Sequence, residues 1–158
     1  MADSGIEKSY MNGKILLDSN ILVYAYDRSE PEKQAKAITL LDLLFTTGAG
    51  VLSTQVLAEF FVASTRKLSA PLSIDQALES LENLAAAWNI LELNSLIVLE
   101  AARGVREYQF HYYDAQIWAV ARLNQVPFVF SEDFNPSRIE GVEFVNPFAP
   151  DFQPEEWI

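Results

Sequence analysis

The sequence predicts an α/β fold built on a mainly parallel sheet. Short apolar runs of β type alternate with longer segments of helical periodicity, the pattern of repeated βαβ units. The runs are apolar on both faces, as strands buried between two helix layers are. Two of the runs are followed at once by a carboxylate, Asp18 and Asp133, and open α/β sheets build their ligand crevices at the carboxyl ends of their strands.

The elements follow in order. Ile15-Leu16-Leu17 is the first strand. Pro31 starts a helix through Leu44, with Ala35, Ile38, Leu41, Leu44 and Phe45 as its apolar stripe and Gly48 ending it. A strand at residues 51–53 leads to Thr54, which caps a helix carrying Val56, Leu57, Phe60 and Phe61. Ser73 and Gln76 have capping-box spacing ahead of Ala77, Leu78, Leu81 and Leu84. A strand at 90–93 precedes a helix over about 95–108 and another over about 113–124. Strands at 128–131 and 142–145 complete the set. With no internal repeat and no linker, one domain over residues 14–147 is expected. Residues 1–13 and 148–158, the latter poor in periodic residues and rich in proline, read as loosely held tails.

A chain of 158 residues, half of them apolar, is long enough for a sizeable core and too apolar for disorder. The absence of cysteine excludes disulfide frameworks, thiolate zinc sites and cysteine nucleophiles. The first residues lack a basic segment followed by an apolar one, and no later run could span a bilayer, so a soluble cytoplasmic protein without membrane contact is expected. The net charge of −11 opposes non-specific coating of nucleic acid, whose affinity comes mainly from Lys and Arg. It leaves room for an enzyme that holds divalent cations between itself and a phosphate, because bound ions invert the local field.

Four acids stand out: Asp18, Glu59, Asp114 and Asp133. Each has an ordinary explanation taken alone. Asp18 could cap a turn or helix, Asp114 could complement a helix dipole, Asp133 could form a turn beside Asn135-Pro136, and Glu59 could pair with a base from another helix. Glu59 is the hardest to explain so, because Val56, Phe60 and Ala63 share its helical face. A carboxylate among apolar neighbours is costly to desolvate without a compensating cation. Four of them at element ends of one parallel sheet point to a metal site.

These segments resemble a known family. Ile15-Leu-Leu-Asp18-Ser-Asn20-Ile-Leu-Val-Tyr is similar to the opening motif of PIN-domain nucleases, the helix starting Tyr-Tyr-Asp114-Ala-Gln-Ile-Trp to their third-acid helix, and Ser131-Glu-Asp133 to their Thr/Ser-x-Asp segment. Glu59 matches the second acid in context and order, and the resemblance runs from about Lys14 to Pro147. Within the family the chain most resembles the VapC-type toxins of toxin–antitoxin pairs. The resemblance implies a PIN-like three-layer α/β/α domain with a five-stranded parallel sheet of order 3-2-1-4-5. It also implies an Mg2+- or Mn2+-dependent endoribonuclease, an RNA substrate and a cognate antitoxin; a homodimer is a further expected assembly. The leading segment is longer than a typical toxin start, which makes Met11 a candidate initiator.

Residue chemistry agrees with that implication. Hard carboxylate oxygens suit Mg2+ or Mn2+, and no cluster of His or Cys favours zinc. Water attack in line would leave 5′-phosphate and 3′-hydroxyl ends. Asp18 and Asp114 are the leading ligand candidates, Glu59 a ligand or the base that holds the attacking water, and Asp133 a ligand directly or through water. Asn20 and Ser131 would orient the carboxylates or the scissile phosphate. Arg28, Arg66, Lys67, Arg103, Arg106 and Arg122 are candidate phosphate contacts, and Tyr24, Tyr26, Tyr112, Tyr113 and Trp118 candidate base-stacking residues, of which Trp118 reads as core and Tyr24 and Tyr26 are open between stacking and packing; His111 reads as an exposed helix-start residue.

Two other classes compete. A non-catalytic PIN-like module that binds RNA or protein would be free to lose the acids, and all four are present. A phosphoaspartyl enzyme of haloacid-dehalogenase type needs a second Asp where Asn20 stands, and a receiver domain needs paired acids at the first strand and a late Lys; Asp18 is alone and no Lys follows Lys67.

Overall fold

The structure is a computed structural model that describes residues 13–158. Apart from Gly13, the expected leading tail and the candidate initiator Met11 lie outside the described residues. In chain order the elements are β1 (Ile15–Leu17), α1 (Ser19–Tyr24), α2 (Pro31–Thr47), β2 (Gly50–Ser53), α3 (Thr54–Arg66) and α4 (Ile74–Ala87). They continue as β3 (Ile90–Leu91), α5 (Ser95–Tyr108), α6 (Tyr112–Leu123), β4 (Phe128–Phe130), β5 (Ser137–Ile139) and β6 (Val142–Val145).

The strands form one sheet of order β3-β2-β1-β4-β6-β5, parallel throughout except for β5. Side chains alternate between the faces of a strand, and each face meets its own helix layer. On one side Leu16, Val51, Val129 and Phe144 pack with Ile97, Ala101 and Trp118 of α5 and α6. On the other, Ile15, Leu17, Leu52 and Phe130 pack with Ile21, Leu40, Leu44, Val56 and Phe60 of α1, α2 and α3. Three layers result, with β1 and β4 central.

The sheet has six strands where five were expected. The expected fifth strand is β6, and β5 is an antiparallel addition at the edge. Ile139 and Val142 pair across the two-residue turn Glu140-Gly141, whose φ angles of 48° and 83° are those of a tight hairpin turn. Exposed Ser137 and Arg138 give β5 no apolar pattern, so only the Glu-Gly pair between apolar residues announced it.

Three further details differ from expectation. Along α2 only Ala37, Leu40 and Leu44 are buried, while Ile38 and Phe45 are about half exposed, because a narrow line of this helix meets the sheet. Ser53, not Thr54, caps α3: its hydroxyl accepts from Val56 N–H at 3.2 Å, and Thr54 Oγ1 instead accepts from Leu93 N–H at 3.1 Å. The segment after Pro147 is not loose. Phe152 meets Phe130 edge-on at 5.5 Å, Trp157 meets Phe128 at 5.1 Å, and Phe148 meets Tyr24 at 5.0 Å. The prolines break periodicity, yet the aromatics between them still bury apolar area. Among the described residues no helix is long and apolar enough to cross a membrane.

Candidate active site

Parallel pairing of β1 with β4 puts the residues that follow them side by side. Asp18 follows β1 and caps α1, accepting Ser19 N–H on Oδ1 at 2.7 Å. Ser131 follows β4 and donates its hydroxyl to Asp18 Oδ2 at 2.7 Å. Asp18 is only 5% exposed. Burial pushes its carboxyl up to about 6; the bonds from Ser131 and Ser19 oppose the rise, and the charges of Glu59 and Asp133 add to it.

The other acids approach from three directions. Half-buried Glu59 on α3 accepts the Ser19 hydroxyl on Oε2 at 2.9 Å and the Gln55 amide on Oε1 at 2.8 Å. Asp114 lies half-buried in the first turn of α6. Burial raises its proton affinity, His111 at the helix start lowers it, and Asp133 and Glu59 raise it further. Asp133 is exposed on the loop after β4 and accepts Asn20 Nδ2 at 3.1 Å, while its own N–H donates to Ser131 Oγ at 3.2 Å. Asn20 also donates to Ser131 Oγ at 3.2 Å, and its Oδ1 is buried with no partner among the described residues.

Asp18, Glu59, Asp114 and Asp133 line one open cleft of about 530 Å³, with Ser19, Lys67 and Tyr113 on its walls. Among the described residues no three acids close on a common point in ligand geometry. The acids line the cleft rather than cage an ion. That arrangement fits Mg2+ and Mn2+, which are commonly held by one or two carboxylates, with waters and substrate phosphates completing the octahedron. Burial above all, with a smaller part from repulsion among the acids, raises Asp18 and Asp114, a deficit a divalent cation would offset, and the ligand atoms of all four acids are hard oxygens.

Of the candidate phosphate contacts, only Lys67 borders the cleft among the described residues. Arg103 and Arg122 are tied into ion pairs with Glu100 and Glu140, and Arg106 pairs with Glu107. Trp118 is fully buried and donates Nε1–H to Ile139 O at 3.1 Å. Tyr24 packs against Phe148, and Tyr26 packs against Phe60 while its hydroxyl reaches Ser80, so both serve packing. His111 is exposed at the start of α6.

Sequence reasoning passed over three polar residues here. Ser19 bridges Asp18 and Glu59. Gln55 and Gln116 are buried and bonded to each other. The signal lay in spacing, because Gln55 precedes Glu59 by four residues, one helical turn, inside an otherwise apolar run.

The sequence matches no curated protein. Solved structures with the same fold include a toxin–antitoxin complex from Klebsiella pneumoniae, with 21% identity and a TM-score of 0.60 over 85% of this chain and 98% of that one. A DNA-bound VapBC from Salmonella typhimurium has 16% identity and a TM-score of 0.61 over 85% and 98% of the two chains. VapC20 of Mycobacterium tuberculosis, described as a Sarcin-Ricin loop cleaving toxin, has 13% identity and a TM-score of 0.56 over 73% and 86%. The family model described as PIN domain matches residues 15–142, and the chain therefore belongs to the PIN domain family.

Proposed function

We propose that this chain is an Mg2+- or Mn2+-dependent endoribonuclease, the toxin of a toxin–antitoxin pair, cutting RNA to 5′-phosphate and 3′-hydroxyl ends. The observation that carries this reading is the buried Asp18 carboxylate, held by two hydrogen bonds in a cleft shared with three further acids. Asp18, Asp114, Glu59 and, directly or through water, Asp133 would hold the ion. When bound, it supplies positive charge to the scissile phosphate and its attacking water. Ser131 and the Ser19 N–H fix the Asp18 oxygens so that they need not reorient during reaction. Glu59, with one oxygen held by Ser19 and the other by Gln55, would act as a ligand of the ion or instead as the base that holds the attacking water and takes its proton. Lys67, the one Lys or Arg lining the cleft among the described residues, would contact a flanking phosphate. An antitoxin partner is drawn from the toxin–antitoxin complexes that share the fold.

The test is incubation of purified protein with structured RNA in Mg2+ or Mn2+, with end analysis of the fragments. Cleavage that leaves 5′-phosphates, and that disappears with chelator and in Asp114→Asn, supports the reading. An inactive wild type that retains RNA affinity favours the non-catalytic module.

A further inference from the structure

Behind the acidic cleft runs a chain of polar bonds with a fixed direction, centred on the buried Gln55–Gln116 contact. The Tyr112 hydroxyl donates to Gln116 Oε1 at 2.9 Å, and Gln116 Nε2 donates to Gln55 Oε1 at 2.8 Å. Gln55 Nε2 then uses both of its protons, one on Glu59 Oε1 at 2.8 Å and one on the Tyr113 carbonyl at 3.0 Å. The direction is set at the acid end: the Glu59 carboxylate and the Tyr113 carbonyl only accept, so Gln55 turns Nε2 to them and Oε1 to Gln116 Nε2, which leaves Gln116 Oε1 for the Tyr112 hydroxyl. The amide of Gln55 joins two helices: Glu59 belongs to α3, and Tyr113 is the backbone neighbour of Asp114 on α6.

We infer that Gln55 is a positioning residue that holds Glu59 and Asp114 at their working separation, supported from behind by Gln116 and Tyr112. The inference rests on the nuclease reading for what the separation serves. The bond spans the two helices that bring Glu59 and Asp114 to one cleft: a donor shared between one carboxylate and the backbone beside the other opposes their drifting apart. Turning the Gln55 amide over would aim its oxygen at a carboxylate and a carbonyl together, so the donor orientation is the only one the surroundings accept. Gln55 and Gln116 are 8% and 4% exposed, which keeps water from substituting for either bond.

The test uses the whole chain and two readouts. Mn2+ affinity is measured by the paramagnetic resonance of free Mn2+, and the side-chain amide protons of Gln55 are followed by NMR in metal-free protein. Gln116→Met keeps length but removes the donor behind Gln55 Oε1, so the buried amide of Gln55 loses the partner that fixes it from that side. We expect its protons to shift and Mn2+ affinity to fall about tenfold or more, with kcat lowered and the RNA KM little changed. Gln55→Leu should match that loss, and Tyr112→Phe should give a smaller one, since the Tyr113 carbonyl still holds Gln55 in place. Folded Gln55→Leu or Gln116→Met with wild-type Mn2+ affinity overturns the inference. A wild type that binds no Mn2+ overturns the nuclease reading instead. The amide signals then decide the brace alone: slow exchange of the Gln55 protons in wild type, faster in Gln116→Met, upholds it, and fast exchange in both overturns it.

Discussion

Ser131 Oγ donates to Asp18 Oδ2 at 2.7 Å across a sequence separation of 113 residues, and the same oxygen accepts Asn20 Nδ2 and Asp133 N–H at 3.2 Å each. One hydroxyl thus ties the ends of the two central strands into a single polar cluster. Removing it leaves a nearly buried carboxylate short of a donor. Ser131→Ala should destabilise the metal-free protein by about 1.5–3 kcal/mol in urea unfolding at pH 7, the range for a hydrogen bond to a charged group. An unchanged midpoint would mean that water replaces the hydroxyl.

Acidity offers a second check. Burial lifts Asp18 from 3.8 to about 6 in the fold, so the folded protein takes up a proton that the unfolded chain releases at lower pH. The stability contributed by this group is complete below about pH 3.8 and is lost as pH rises through about 6. Metal-free protein should therefore gain about 1 kcal/mol between pH 7.5 and 5. Asp18→Asn should flatten that slope, and a slope equal to wild type would assign it to another group.

Divalent cation should reverse the trend. Protons compete with Mn2+ for Asp18, so saturating Mn2+ should raise the melting temperature more at pH 7.5 than at pH 5. At a hundred times its dissociation constant, the ion should add about 2.7 kcal/mol to wild type and little to Asp18→Asn. Equal shifts in both proteins would place the ion elsewhere.

A fold-level variant should separate stability from the cleft. Gly141 has φ of 83° in the turn before β6, at the opposite end of the sheet from Asp18 and Ser131. Gly141→Ala should cost about 1–2 kcal/mol from left-handed backbone strain while leaving Mn2+ affinity unchanged. A variant of wild-type stability would show that the turn relaxes to another type.

What the sequence made legible follows from how local each signal is. The capping box of Ser73 and Gln76 is present with bonds of 3.0 and 3.1 Å, because both partners lie within one helical turn. The central strands were readable since a fully buried strand must be apolar on both faces, as Ile15–Leu17 is. The convergence on one cleft was readable for Asp18, Asp114 and Asp133 from the ends of elements in a parallel sheet, and for Glu59 from the apolar helical face it shares. The Gln55–Gln116 contact was not, since it spans 61 residues and neither side chain is charged. Nor was the packing of Phe152 and Trp157, because a proline-broken segment shows no period even when its aromatics are anchored.

The most direct measurement is anomalous diffraction from crystals soaked in Mn2+. A divalent metal centre predicts a manganese peak inside the cleft, within ligand distance of Asp18 and at least one of Glu59, Asp114 and Asp133, and its loss in Asp18→Asn. A well-ordered cleft with no peak at saturating Mn2+, or a peak that persists unchanged in Asp18→Asn, would contradict it.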